Sequence, residues 1–298
     1  MVLSPQAEAN KLSAMLRQVY AGEHRFPVDV KAVALEVSRQ RFPSEPIKSI
    51  EDLNIGRFEG TLARHPKGRY WKIGYSSIGR SPQRIRFTLA HEFGHYLLHR
   101  RVSERFECTE LDMHDWDSAA RVIESEADVF ASYLLMPLDD FRQQIDGHPI
   151  SIDLLKHCAD RYGVSLMAAA LKWIEVAPQR AVVVAARDGF LLWARSNRAA
   201  FKSGALLKTR VSPPREVPEG SLLTSENEFG VLPPRIGSAR LWFSKEPENM
   251  QLTEHAFVAS GVYGYTLGIL VMRDATPCWE QAEDEELDEL NGVMKFRR

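Results

Sequence analysis

The chain has 298 residues, 44% of them hydrophobic, and a formal net charge of −2 at pH 7. That length makes two domains or one large one, with apolar content enough for a real core. The near-neutral balance offers no global basic field for nucleic acid, and no stretch of about 20 apolar residues is present to span a bilayer. Three widely spaced cysteines, Cys108, Cys158 and Cys278, form no Cys-x-x-Cys motif and cannot all pair. With no long apolar leader at Met1–Lys11, they point to a reducing, cytoplasmic setting.

In chain order, residues 5–21 read as a helix with Ala7, Leu12, Met15, Leu16 and Val19 on its apolar side. Asp29 is placed to cap a second helix through Val30, Val33, Ala34 and Val37. Residues 54–76 alternate like strands. Gly60–Arg64 and Tyr70–Tyr75 flank a His65-Pro-Lys-Gly68 turn. Trp71–Tyr75 is read either as a strand near a cleft, where a strand edge can hold an extended peptide by backbone pairing, or equally as an ordinary core strand.

Ser81-Pro82 then reads as the N-cap and first residue of a helix with Ile85, Leu89, Phe93, Tyr96 and Leu97 as an apolar stripe. Within it residues 91–95 read His-Glu-Phe-Gly-His. Two histidines four apart lie on one helix face, one turn from each other, so both imidazoles can bind one Zn²⁺. Glu92 sits beside the open position. There it can take a proton from a water that the metal activates, as in a zinc-dependent protease. Gly94 is a poor helix former whose use is close packing by a neighbouring element. His99 continues the spacing, but at about 1.5 Å rise per residue it lies roughly 12 Å from His91 along the axis, too far to share the ion. It is read instead as a polar residue at the helix end, where a cation suits the dipole.

The third ligand must come from elsewhere. Residues 123–137 form a second amphipathic helix ending before Pro137, with Val129, Phe130, Tyr133 and Leu134 as its packing face. Glu124 and Asp128 share a face at i, i+4. One carboxylate can bind the ion, while the other accepts the second ring proton of a ligand histidine. Glu126 competes as ligand but points about 200° from Glu124 around the axis. Tyr75, Tyr96 and His114 are the candidates for stabilising an oxyanion.

Downstream, Ser151–Tyr162 and Leu166–Ile174 make a helical pair with an echo of helix-turn-helix spacing around Gly163. The second helix offers only Lys172 against Glu175, so a packing unit is expected and direct DNA binding is not. Beyond Pro178 the pattern turns to strands. Ala181–Ala186 and Phe190–Ala194 flank Arg187-Asp-Gly189, a hairpin signal. Residues 211–237 read as long loops, 257–272 as two strands, and the acidic run 280–289 as a solvated helix face.

The blocks Arg86–His99 and Glu124–Pro137, the second ending Leu-Leu-Met-Pro, resemble the ImmA/IrrE metallopeptidases over roughly residues 10–175. The resemblance implies His91, His95 and Glu124 as metal ligands and Glu92 as catalytic base. It also implies a narrow protein substrate, a helix-turn-helix repressor cut once in a stress-response or mobile-element switch. That family usually has Asn where this chain has Asp128. Its IrrE-like members follow the peptidase with a helical segment and a GAF-like domain, though residues 180–298 carry no matching motif. The expected fold is α+β. A mainly helical zincin-like domain with a small antiparallel sheet spans 1–149 and a helical pair 150–177. A sheet-rich, mixed α/β sensor domain of GAF-like kind spans 178–298. Zinc is the expected ion, with Mn²⁺ and Fe²⁺ as alternatives because supply also selects the metal. The competing function is a regulatory binding protein, or a toxin–antitoxin component, that keeps the zincin fold without turnover.

Overall fold

The computed structural model describes residues 4–20, 25–54, 59–108, 118–209, 213–224, 229–260 and 264–274. The chain forms two compact units, Met1–Asp146 with Cys158–Ser165, and Gly147–His157 with Leu166–Arg298.

The first unit opens with α1 (Pro5–Val19) and α2 (Val30–Arg41), each started by a side-chain cap. Ser4 Oγ accepts from Ala7 N at 3.2 Å and Asp29 Oδ1 accepts from Ala32 N at 3.1 Å. Each cap satisfies a backbone donor that the first helical turn leaves unpaired. There follow β1 (Ile47–Asp52), β2 (Gly60–Arg64), β3 (Trp71–Tyr75), α3 (Pro82–His99), β4 (Arg105–Cys108), α4 (Ser118–Leu135), α5 (Leu138–Ile145) and the end of α6 (Ile152–Tyr162). Among the described residues no helix is long and apolar enough to cross a membrane.

The strand order in this unit is β1-β3-β2-β4. One expectation is corrected here. The sheet is mixed, because β1 runs parallel to β3 while β2 is antiparallel to both β3 and β4. Helix α2 lies before β1 and the β2–β3 hairpin supplies the antiparallel part. Of its two readings, Trp71–Tyr75 is the core strand and not an edge. It is paired on both sides, so its backbone groups are used and it cannot accept a substrate strand. The hairpin turn does fall at His65–Gly68, where Gly68 N donates to His65 O at 3.1 Å.

Helix α3 lies on this sheet and α4 packs on α3. Leu89, Phe93 and Tyr96 are buried, as are Ala127, Phe130, Ala131 and Leu134 of α4. The Phe93 and Phe130 rings meet edge-to-face with centroids 5.7 Å apart. Burial of each such side chain stabilises by about 1.5–3 kcal/mol. Gly94 sets how closely the helices approach. A β-carbon there would lie 2.9 Å from Phe130 Cδ1 and 3.3 Å from Ala127 Cα.

The second unit holds α7 (Leu166–Val176), β5 (Arg180–Arg187), β6 (Phe190–Ser196), α8 (Arg198–Lys202), β7 (Gly230–Ser238), β8 (Gln251–Val258) and β9 (Thr266–Met272). Its five strands form an antiparallel sheet in the order β6-β5-β9-β8-β7. Asp188 and Gly189 both take positive φ, 51° and 78°, which closes the β5–β6 hairpin in two residues. Residues 230–238 are strand rather than loop. Pro233 and Pro234 disguise them by sitting at the register shift between Leu232 and Arg235, on an edge strand where a missing donor costs little. The expected pair of strands in 257–272 is β9 together with the end of β8, which begins earlier at Gln251. The acidic run 280–289 lies outside the described residues.

Candidate metal centre

Helix α3 begins where Ser81 Oγ accepts from Arg84 N at 3.2 Å, with Pro82 as its first residue. From that start, His91, His95 and His99 fall on one face at four-residue spacing. Residues 88–96 are all buried, so this face looks into protein rather than solvent.

The two ligand candidates turn the same nitrogen toward one point. His91 Nε2 and His95 Nε2 are 2.9 Å apart. Glu124 of α4 completes a triangle, with Oε2 3.0 Å from His91 Nε2 and Oε1 3.3 Å from His95 Nε2. One donor atom from each of the three residues lies within 4.8 Å of the others. A tetrahedral ion with bonds of about 2.0–2.1 Å spaces its ligand atoms about 3.3 Å apart, so this donor set fits a zinc-sized cation.

The electrostatics match. Burial drives the His95 imidazole down to about 4, against the opposing pull of Glu124, so it is neutral at pH 7. Burial alone would raise the Glu124 carboxyl. Hydrogen bonds from His91 and His95 outweigh it and hold Glu124 well below the ordinary carboxylate range. A neutral His95 imidazole and an ionised Glu124 carboxylate are the protonation states a divalent ion requires of these two groups.

Supporting groups stand behind the triangle. His91 Nδ1 meets Asp128 Oδ1 at 2.9 Å, so the Glu124/Asp128 face does supply both a ligand candidate and a ring-proton acceptor. His95 stacks on Phe106 of β4, with centroids 4.6 Å apart. His95 Nδ1 meets His99 Nδ1 at 3.2 Å, and His99 Nε2 meets Glu126 Oε2 at 2.9 Å. His99 does lie in the last turn of α3, as read from the sequence, but it faces protein. It is only 4% exposed, because the spacing that removes it from the ion places it against the back of His95. Glu126 points away from the triangle and is engaged by His99.

Glu92 is fully buried. Its carboxylate packs over Gly60 of β2, where a β-carbon would lie 2.5 Å from Oε1. The described oxyanion candidates are committed elsewhere. Tyr96 donates from its hydroxyl to Glu45 O at 2.9 Å, and the Tyr75 hydroxyl accepts from Lys31 Nζ at 2.8 Å. His114 lies outside the described residues. Sequence reasoning missed Gly60, Phe106 and the role of His99. For His99 the signal was present in the i+4 step from His95. For Gly60 and Phe106, on strands distant in sequence, there was none.

The helix pair thus converges two imidazoles and a carboxylate that could hold a metal ion, beside a buried glutamate. Residues 60–173 match the family model of the IrrE N-terminal-like domain (Peptidase_M78), which supports an ImmA/IrrE-like metallopeptidase family for this segment. The matched span runs from β2 into α7 and includes every residue of the site. No curated protein shows a significant match to the chain.

Proposed function

We propose that this protein is a zinc-dependent metalloendopeptidase that cuts one peptide bond in a helix-turn-helix transcriptional repressor, as a stress-response or mobile-element switch. The observation that carries the peptidase reading is the convergence of His91 Nε2, His95 Nε2 and the Glu124 carboxylate, with Glu92 buried next to His91. The choice of repressor rests on the resemblance of the two helical blocks to the ImmA/IrrE peptidases.

His91, His95 and Glu124 would hold the ion. When bound, it supplies Lewis acidity that brings the pKa of a water toward neutrality and polarises a peptide carbonyl. Glu92 accepts the proton of the attacking water as its oxygen bonds to the carbonyl carbon. It then delivers that proton to the amide nitrogen as the C–N bond breaks. Burial of Glu92 keeps bulk water from competing for the carboxylate. Asp128 fixes the His91 ring by accepting its Nδ1 proton. Among the described residues β4 pairs on one side only, with β2, and Phe106 of β4 touches His95. This supports β4, rather than β3, as the strand that receives an extended substrate segment.

The second unit reads as a regulatory sensor of GAF-like kind. Counted from its own first strand, the sheet order is 2-1-5-4-3, fully antiparallel, with α7 packed against β5.

Incubation of the full chain with a candidate helix-turn-helix repressor tests the reading, followed by mass spectrometry of the products. Wild type should yield a single cut and Glu92→Gln none. Cleavage by both proteins, or by neither, overturns catalysis through Glu92 on this substrate.

A further inference from the structure

We propose that His99 is a positioning residue that couples Glu126 to His95, forming a second outer arm of the metal centre parallel to the Asp128–His91 arm. The inference rests on the metal-site reading above and extends it to two residues outside the ligand triangle.

The hydrogen-bond geometry assigns the protons. With Nε2 given to the ion that the triangle would hold, His95 carries its ring proton on Nδ1. That proton points at His99 Nδ1, 3.2 Å away, which therefore accepts. A neutral imidazole accepting at Nδ1 carries its own proton on Nε2. His99 Nε2 lies 2.9 Å from Glu126 Oε2 and donates to it. One tautomer of each ring satisfies every contact in the chain from Glu126 to His95.

The two arms differ for a physical reason. His91 lies level with Asp128, whose side chain is 58% exposed and reaches its Nδ1 directly. His95 is one helical turn further on and 0% exposed, stacked against Phe106. Bulk water does not reach its Nδ1 there. An imidazole, with a nitrogen at each end, spans from His95 to the half-exposed carboxylate of Glu126. A ring that only filled space against Phe106 would need neither nitrogen aligned.

Zinc affinity of the full-length protein, measured by competition with a chromophoric chelator, separates these roles. Glu126→Ala alters a side chain that is 44% exposed and leaves the core intact. His99→Phe keeps a ring of similar size and removes both nitrogens. Each should weaken zinc binding about 10- to 100-fold, the usual loss when the outer partner of a ligand histidine is removed. Because the two act in series, Glu126→Ala should add less than about twofold in the His99→Phe background. Asp128→Ala, on the other arm, should multiply with His99→Phe. In zinc-loaded wild type, ¹⁵N histidine spectra should show His99 as the Nε2–H tautomer.

Wild type that binds no stoichiometric zinc, or Glu124→Ala that binds it as tightly as wild type, overturns the metal site and this inference with it. Zinc binding that depends on Glu124 but stays within twofold in both Glu126→Ala and His99→Phe overturns the relay alone. So does a multiplicative loss in the Glu126/His99 double variant, or an Nδ1–H tautomer at His99.

Discussion

The Glu92 carboxylate rests directly on the backbone of Gly60, with no room for a β-carbon between them. An alanine β-carbon at position 60 would come within 2.5 Å of both Glu92 Oε1 and Thr88 Cγ2. Helix α3 therefore meets β2 at the one residue type that lets the buried carboxylate keep its place.

Gly60→Ala should displace Glu92 and spare the ligand triangle. Zinc content by elemental analysis should remain at the wild-type level while peptide cleavage falls more than about tenfold. Overpacking at a tight contact costs about 1–3 kcal/mol, so the variant should still fold. Wild-type cleavage would show that Glu92 can do its work from another position.

Gly94 plays the equivalent part between α3 and α4. Gly94→Val drives carbon atoms into Ala127 and Phe130, whose nearest atoms are 3.3 and 2.9 Å from an ideal β-carbon. The better helix propensity of valine returns only a few tenths of a kcal/mol. A net destabilisation of about 2 kcal/mol in urea denaturation is expected. Parting the helices also draws Glu124 from the two imidazoles, so zinc affinity should fall with stability.

Asp140 on α5 predicts an acid-dependent stability. Its oxygens accept from Arg161 Nε at 2.7 Å, from Arg161 Nη2 at 2.8 Å and from the Tyr162 hydroxyl at 2.7 Å. Burial alone would raise its carboxyl, but the Arg161 and Tyr162 hydrogen bonds prevail and hold it lowered. A carboxyl lowered on folding stabilises fully above its unfolded pKa, about 3.9 for aspartate, and loses that contribution as pH falls through the folded value. Asp140→Asn should thus cost about 1–2 kcal/mol near pH 7. Melting curves of the two proteins should converge below about pH 4.

In the second unit, Glu254 of β8 is a buried hub. It accepts from Trp242 Nε1 at 2.6 Å, Ser221 Oγ at 2.8 Å, Leu222 N at 2.9 Å and Arg235 Nη2 at 2.8 Å. Glu254→Gln turns one acceptor oxygen into a donor facing other donors. A loss of about 2–4 kcal/mol is expected, because buried donors lose their partner. Hydrogen exchange of the β8 amides should accelerate accordingly, and unchanged exchange would show that Trp242 and Ser221 find other acceptors.

Local chemistry made much of this molecule legible. Ser81-Pro82 and Asp29 each begin a helix because a short polar side chain satisfies a backbone donor at the first turn. Asp188-Gly189 closes a hairpin because both residues tolerate positive φ. Local reading falls short where distant segments decide. The two prolines of β7 look like loop until β8 is seen beside them, and β3 reads equally as edge or core strand until β1 and β2 flank it.

The same division holds at the site. Helical periodicity alone sets His91, Glu92 and His95 in register, because four residues advance nearly one turn and carry the partner with them. It also puts His99 on that face, but whether His99 meets water or protein depends on Phe106 and Glu126, which arrive from β4 and α4. The rotation of α4 about its own axis, set by its packing against Gly94 and Phe93, turns Glu124 toward the two imidazoles and Glu126 toward His99. Spacing along one helix is encoded within a few residues. The facing of a second helix is the sum of contacts made only when the chain has folded.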